Sequence, residues 1–131
     1  MAINEYVTGI QHIGIPTDDL AGTIAFYESL GFTQAGLFPN GENQCVFMKL
    51  DNVVIESWTG DAVTKTNGAI NHLSLDTTNI EATFAAAQAQ GLELIDHEVQ
   101  SIPSFWAHGI KYFNILGPNH EVIEFCQILT K

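Results

Sequence analysis

The chain has no arginine. Its only basic side chains are four lysines, Lys49, Lys65, Lys111 and Lys131, against 15 acidic residues, which gives a formal net charge of −11. A protein that binds nucleic acid neutralises phosphates with a patch of basic side chains. None can be assembled here, and an anionic lipid surface is disfavoured for the same reason. The missing guanidinium also removes the usual bidentate clamp for carboxylates and phosphates. Cysteine is scarce: Cys45 and Cys126 lie far apart, form no CxxC pair, and sit in apolar, strand-like runs. They read as two buried free thiols of a reducing compartment. No run approaches the ~20 apolar residues of a membrane span. Residues 1–8 contain Asn4 and Glu5 and no basic cluster, so they do not read as a secretory signal. The expected class is a cytoplasmic globular protein of one domain, 1–131, with no nucleic-acid or membrane partner.

What is present is a repeat. Residues 9–20 read GIQHIGIPTDDL and residues 69–80 read AINHLSLDTTNI. Overlaid at an offset of 60, they share Ile-x-His followed by alternating aliphatics, with Thr17 on Thr77, Asp19 on Asn79 and Leu20 on Ile80. The ends match too: Val53-Val54-Ile55-Glu56 corresponds to Glu121-Val122-Ile123-Glu124 at an offset of 68. The second copy therefore carries about eight extra residues, most naturally at Gln100–Gly109.

Each copy reads as βαβββ. Alternation around His12 predicts a strand over 8–15. Asp18 or Asp19 is placed to cap a helix over 20–30, whose apolar residues Leu20, Ile24, Tyr27 and Leu30 keep a 3–4 spacing and which Gly31 ends. Strands follow near 32–38, 43–50 and 53–59, separated by Pro39-Asn40-Gly41 and Asp51-Asn52. The second copy repeats the order: strand 69–75, helix 79–90, strands near 92–99, 109–116 and 121–128. Module one spans 8–59 and module two 69–128, with a linker between them.

Each module contributes one His from its start and one Glu from its end: His12 and Glu56, then His72 and Glu124. Alternating faces place Gly14 and Ser74 beside the two imidazoles, and both are small. A carboxylate inside an apolar strand is costly unless it is paired or bound to a cation. Two of them at matching places in a repeat suggest convergence on one ion. Two imidazoles and two carboxylates suit a borderline divalent metal such as Zn, Ni, Co, Mn or Fe(II), one per site. His97, His108 and His120 have no repeat partner and are not assigned as ligands.

The segments HIGIPTDDLAGTIAFYESLGF (12–32), NHLSLDTTNIEATF (71–84) and GPNHEVIEF (117–125) resemble the vicinal oxygen chelate superfamily, which includes glyoxalase I, bleomycin and fosfomycin resistance proteins, and extradiol dioxygenases. The resemblance covers essentially the whole chain. It implies an α+β fold in which two tandem βαβββ modules form a cupped eight-stranded sheet around a metal site. His12, Glu56, His72 and Glu124 stand at the family's ligand positions. The full His/Glu/His/Glu set looks most like bacterial glyoxalase I.

That resemblance implies a glyoxalase I-like lyase or isomerase acting on a small α-oxygenated substrate through an enediolate. Glu124 or Glu56 would serve as the catalytic base. It also implies a homodimer. Trp58, Phe105, Trp106 and Tyr112 are expected to wall the substrate pocket. With no arginine to hold the carboxylates of glutathione, the pocket suggests a neutral or apolar substrate. Two alternatives stand beside this reading: a drug- or metabolite-binding protein of the bleomycin-resistance kind, and an extradiol-type dioxygenase.

Overall fold

A computed structural model describes residues 2–131. The fold is mixed α+β, with two sheets and two α-helices. By its internal contacts the chain divides into two compact units, Met1–Val63 and Thr64–Lys131. Among the described residues, no helix is long and apolar enough to cross a membrane.

In the first unit a single 3-10 turn, Ile3–Glu5, precedes β1 (Ile13–Pro16), α1 (Leu20–Ser29), β2 (Thr33–Asn40), β3 (Asn43–Leu50) and β4 (Val53–Trp58). The sheet order is β1-β4-β3-β2. β1 pairs with β4 in parallel, and the other pairs are antiparallel. A parallel pair needs a long crossover, which α1 and the β2–β3 hairpin supply.

The turn from β1 into α1 is set by short polar side chains. The Asp19 carboxylate accepts from the Gly22 N–H at 2.9 Å, and Thr17 Oγ1 accepts from the Asp19 N–H at 3.0 Å. Of the two candidate caps it is Asp19 that closes the helix. Gly31 then leaves it at φ +99°, a conformation that costs glycine nothing. The helix buries Thr23 and Tyr27, while Leu20, Ile24 and Leu30 are only part-buried. Tyr27 packs edge-on against Phe32. Val46, Met48 and Ile55 complete the buried core.

The second unit repeats the plan: β5 (Leu73–Asp76), α2 (Ile80–Ala89), β6 (Glu93–Leu94), β7 (Gln100–Ile102), β8 (Ile110–Leu116) and β9 (Val122–Ile128). β5 lies parallel to β9, and β6 and β7 both pair with β8. Asn79 caps α2 by accepting from the Ala82 N–H at 3.1 Å, and the Thr77–Thr83 hydroxyl pair (2.8 Å) reproduces Thr17–Thr23 (3.0 Å). Phe84 and Phe113 meet edge-on, and Phe113 stacks on Phe125 under the helix.

Three expectations are corrected. The first strand of each unit starts later than 8 or 69. In the parallel register Ile13 faces Ile55 and Leu73 faces Ile123, so residues before Gln11 and His72 would lie opposite turns that offer no ladder. His12 and His72 therefore stand immediately before β1 and β5 rather than within them. Of the strand expected at 92–99 only β6 forms, and β7 follows inside the segment 100–109 expected to hold the extra residues, giving nine strands among the described residues rather than eight. The break arises at Asn114: its carbonyl accepts from Ile95 N–H (2.9 Å), and its own N–H and Nδ2 both donate to Asp96 Oδ2 (2.8 and 2.9 Å). The extra residues of the second copy are consequently shared out. Some loop out between β6 and β7, where Glu93 faces Leu116 but Gln100 faces Tyr112. Others form the turn at 103–109 that replaces the short turn between Asn40 and Asn43.

Candidate metal centre

Cross-strand neighbours share a face, so the registers define what each sheet presents. In the first unit, Ile13, Ile15, Val46, Met48 and Ile55 face α1. The opposite face carries His12, Gly14, Cys45, Phe47, Glu56 and Trp58. In the second, Leu73, Phe113, Ile115, Ile123 and Phe125 face α2, while Ser74, Tyr112, Asn114 and Glu124 lie on the opposite face with His72 just before it. Each unit thus gathers one His and one Glu on the face away from its helix.

The pairs are close. His12 Nε2 lies 3.2 Å from Glu56 Oε1, and His72 Nε2 lies 3.9 Å from Glu124 Oε2. All four side chains are part-exposed. Each imidazole is oriented from behind by the carboxamide that precedes it in sequence. His12 Nδ1 donates to Gln11 Oε1, and His72 Nδ1 donates to Asn71 Oδ1 at 2.9 Å. That bond fixes the tautomer: in the neutral ring the lone pair sits on Nε2 and faces the carboxylate. Two acceptors face one another in each unit, an arrangement that calls for a proton or a cation between them. Donors about 2.0–2.2 Å from a shared ion lie roughly 3 Å apart or a little more. The first pair has that spacing, and the second is somewhat wider.

The remaining carboxylate oxygens are also held. Cys45 Sγ donates to Glu56 Oε2 at 3.3 Å, and Ser74 Oγ donates to Glu124 Oε1 at 2.7 Å. The Cys45 thiol is pushed up to about 11, chiefly by burial and then by its bond to Glu56 and that residue's charge. Burial raises Cys126 as well, with Glu124 and Asp76 adding to the effect. Both cysteines are free thiols, Cys45 buried and Cys126 part-buried. Among the described residues, His, Cys, Asp and Glu side chains do not gather in groups of three or more that could hold a metal; the donors come as pairs, and the donor types fit a divalent ion.

The expected pocket residues separate. Phe105 and Tyr112 line a cleft of about 550 Å³ within the second unit, together with His72, Glu124, Asn71 and Asn114. Ile95, Ile102, Ile110 and Val122 supply the rest of its wall. Trp106 is 72% exposed and is not among its walls; it occupies the turn after β7 with φ +56°. Trp58 belongs to the first unit, where its ring lies over Gly14 and Nε1 donates to Asp61 Oδ2 at 2.7 Å. Sequence reasoning missed Gln11, Asn71 and Asn114. The first two were visible as a carboxamide before the histidine in both copies; Asn114 had no such signal.

A model of the Glyoxalase/Bleomycin resistance protein/Dioxygenase superfamily matches residues 11–112. The chain is 29% identical over 127 residues to the uncharacterized protein YwbC of Bacillus subtilis (strain 168), an alignment that covers 90% of this chain and 96% of that one. Among solved structures, a glyoxalase family protein from Bacillus cereus superposes with a TM-score of 0.75 at 16% identity, covering 97% of this chain and 98% of the other. A genomically encoded fosfomycin resistance protein, FosX, from Listeria monocytogenes, complexed with Mn(II) and sulfate ion, superposes with a TM-score of 0.72 at 14% identity, covering 95% of each chain.

Proposed function

Because the chain belongs to the glyoxalase/bleomycin resistance protein/dioxygenase superfamily, whose members include divalent-metal proteins, we propose that it is a metal-dependent lyase or isomerase of glyoxalase I type, acting on a small substrate with vicinal oxygens. His12, Glu56, His72 and Glu124 supply the ligands of one divalent ion, either from one chain or from two chains of a homodimer. The observation that carries this reading is the matched pair of facing acceptors, His12 Nε2 with Glu56 and His72 Nε2 with Glu124, each imidazole anchored from behind.

When bound, the ion would act as a Lewis acid on a substrate carbonyl. The chain's residues do the rest. Gln11 and Asn71 keep the histidines in the ligating tautomer. A carboxylate, Glu56 or Glu124, freed from ligation, would take the proton from the hydroxyl-bearing carbon and return it to the adjacent carbonyl carbon, while the hydroxyl proton passes to the former carbonyl oxygen, so that the substrate's hydrogens balance. Cys45 and Ser74 steady the carboxylate oxygens that face away from the histidines. Phe105 and Tyr112 hold the body of the substrate.

The test is metal content by mass spectrometry on the purified protein and on the His12→Ala and Glu124→Ala variants, beside turnover of methylglyoxal with and without thiols. About one divalent ion per four-ligand set, lost in both variants, with thiol-dependent turnover, supports the reading. A folded protein that takes up no divalent metal refutes it.

A further inference from the structure

The cleft in the second unit differs from the matching place in the first in one informative way. Across from Glu56 stands Phe47, but across from Glu124 stands Asn114. Asn114 is locked: Asp96 Oδ2 accepts from both its backbone N–H and its Nδ2. One amide N–H is thereby committed, and the amide plane is fixed beside Glu124. Around this polar floor the wall is aliphatic and aromatic, with Ile102, Phe105, Ile110 and Val122 among its residues.

No lysine lines the cleft, and the chain has no arginine. Lys111, the lysine nearest in sequence, belongs to the helix-facing set of β8 and reaches Glu81 at 3.6 Å. In the metal-free protein an anionic group in this cleft would meet Glu124, with the Asp96 carboxylate behind Asn114 and neither lysine nor arginine to offset them; the basic side chain on the wall is His72, whose Nε2 faces Glu124. Like charges in a partly desolvated cleft repel, and an unpaired carboxylate there also loses its hydration.

We propose that this cleft binds an uncharged ligand with an apolar, aryl- or alkyl-sized body, whose polar end meets the Asn114 amide, and that it rejects ligands carrying a carboxylate or phosphate on that body. This names the substrate class of the site assigned above and rests on that assignment only for the reaction, not for the binding.

Calorimetric titration of the 131-residue chain tests it, with three probes: 1-phenylpropane-1,2-dione, its ring 4-carboxylate, and the methyl ester of that carboxylate. The ester differs from the acid mainly in charge. Measurements are made before and after zinc loading. Before zinc loading the ester is expected to bind at least tenfold more tightly than the acid; added salt, which screens the repulsion, and a zinc ion held by His72 and Glu124, which offsets it, are each expected to narrow the gap. Ile102→Lys, with its fold checked by circular dichroism, is expected to shift the ratio at least tenfold toward the acid. Asn114→Leu is expected to weaken the ester severalfold. Acid binding as tight as ester in the metal-free chain, or binding of none of the probes, overturns the proposal. Preference for the ester in a chain that never takes up zinc sinks the metal reading alone; zinc uptake by a chain that shows no preference before loading sinks this one alone.

Discussion

Asp96→Ala tests the feature that both breaks the edge strand and builds the cleft. The Asp96 carboxylate accepts two hydrogen bonds from one residue, Asn114 N–H and Nδ2. A hydrogen bond to a charged acceptor contributes about 1.5–3 kcal/mol, and a part-exposed one falls at the low end. With β6 ending at Leu94 and β7 starting at Gln100, no neighbouring strand offers the Asn114 N–H a replacement. The two bonds together are worth roughly 2–4 kcal/mol. For a chain of this size that is a fall in Tm of about 10 °C, at around 4 °C per kcal/mol. Asp96→Asn keeps one accepting oxygen and should lose about half as much. Asn114→Ala removes only the side-chain bond, so the double variant should be less unstable than the sum of the singles by about 1 kcal/mol. Thermal unfolding by circular dichroism measures the first effect, and amide exchange at Asn114 measures the second. An Asp96→Ala protein that melts within a degree or so of the parent, with Asn114 still protected, would refute the reasoning.

Further expectations follow from the same contacts. Gln11→Leu and Asn71→Leu each remove the anchor of one imidazole and should weaken zinc binding about 10–100-fold while leaving Tm of the metal-free protein nearly unchanged; a competition titration with a chromophoric chelator reads this. Gly14→Ala places a Cβ 3.1 Å from the Trp58 ring, so the indole must shift by a few tenths of an ångström, with a change in tryptophan fluorescence relative to the parent. In metal-free protein the Cys45 thiol, pushed up to about 11, is thiolate in only roughly one molecule in a thousand at pH 8. It should react with a disulfide reagent at least a hundredfold more slowly than in denaturant. Because folding favours its protonated form, the stability it contributes is present at neutral pH and is lost as pH rises from about 9 through about 11, which alkaline unfolding midpoints of the parent and Cys45→Ala would show.

Much of the fold was legible because the repeat states it twice. A cap at Asp18 or Asp19, the helix end at Gly31 and the hairpin between Thr33 and Leu50 all follow from local rules that act within a few residues, and the overlay of the two copies carries the helix to 79–90. The strand starts were not legible, since alternation continues upstream through Ile10 and Ile70 although β4 and β9 end the available ladder; Ile10 and Ile70 remain 74% and 75% exposed. The break was not legible because the strand at 92–99 was read from the order of the first copy, and no local rule announces the pairing of Asp96 with Asn114. At the site, a His at the start and a Glu at the end of each copy could be read from the repeat. The wall of the cleft was not, because Ile95 follows β6 in the break of the edge strand while Ile102 and Val122 lie on β7 and β9, and no local pattern encodes how these segments come together.

The parallel pairings β1–β4 and β5–β9 set the order in which the molecule can be assembled. In each unit the strand that carries the glutamate is the last to emerge from the ribosome and the one that closes the sheet onto the first strand. Closing a parallel pair across some forty or fifty residues is slow compared with forming the helix and hairpin between them. The His–Glu pair of a unit therefore comes into being in the step that completes that unit, and a nascent chain halted short of its closing strand displays an imidazole without its carboxylate.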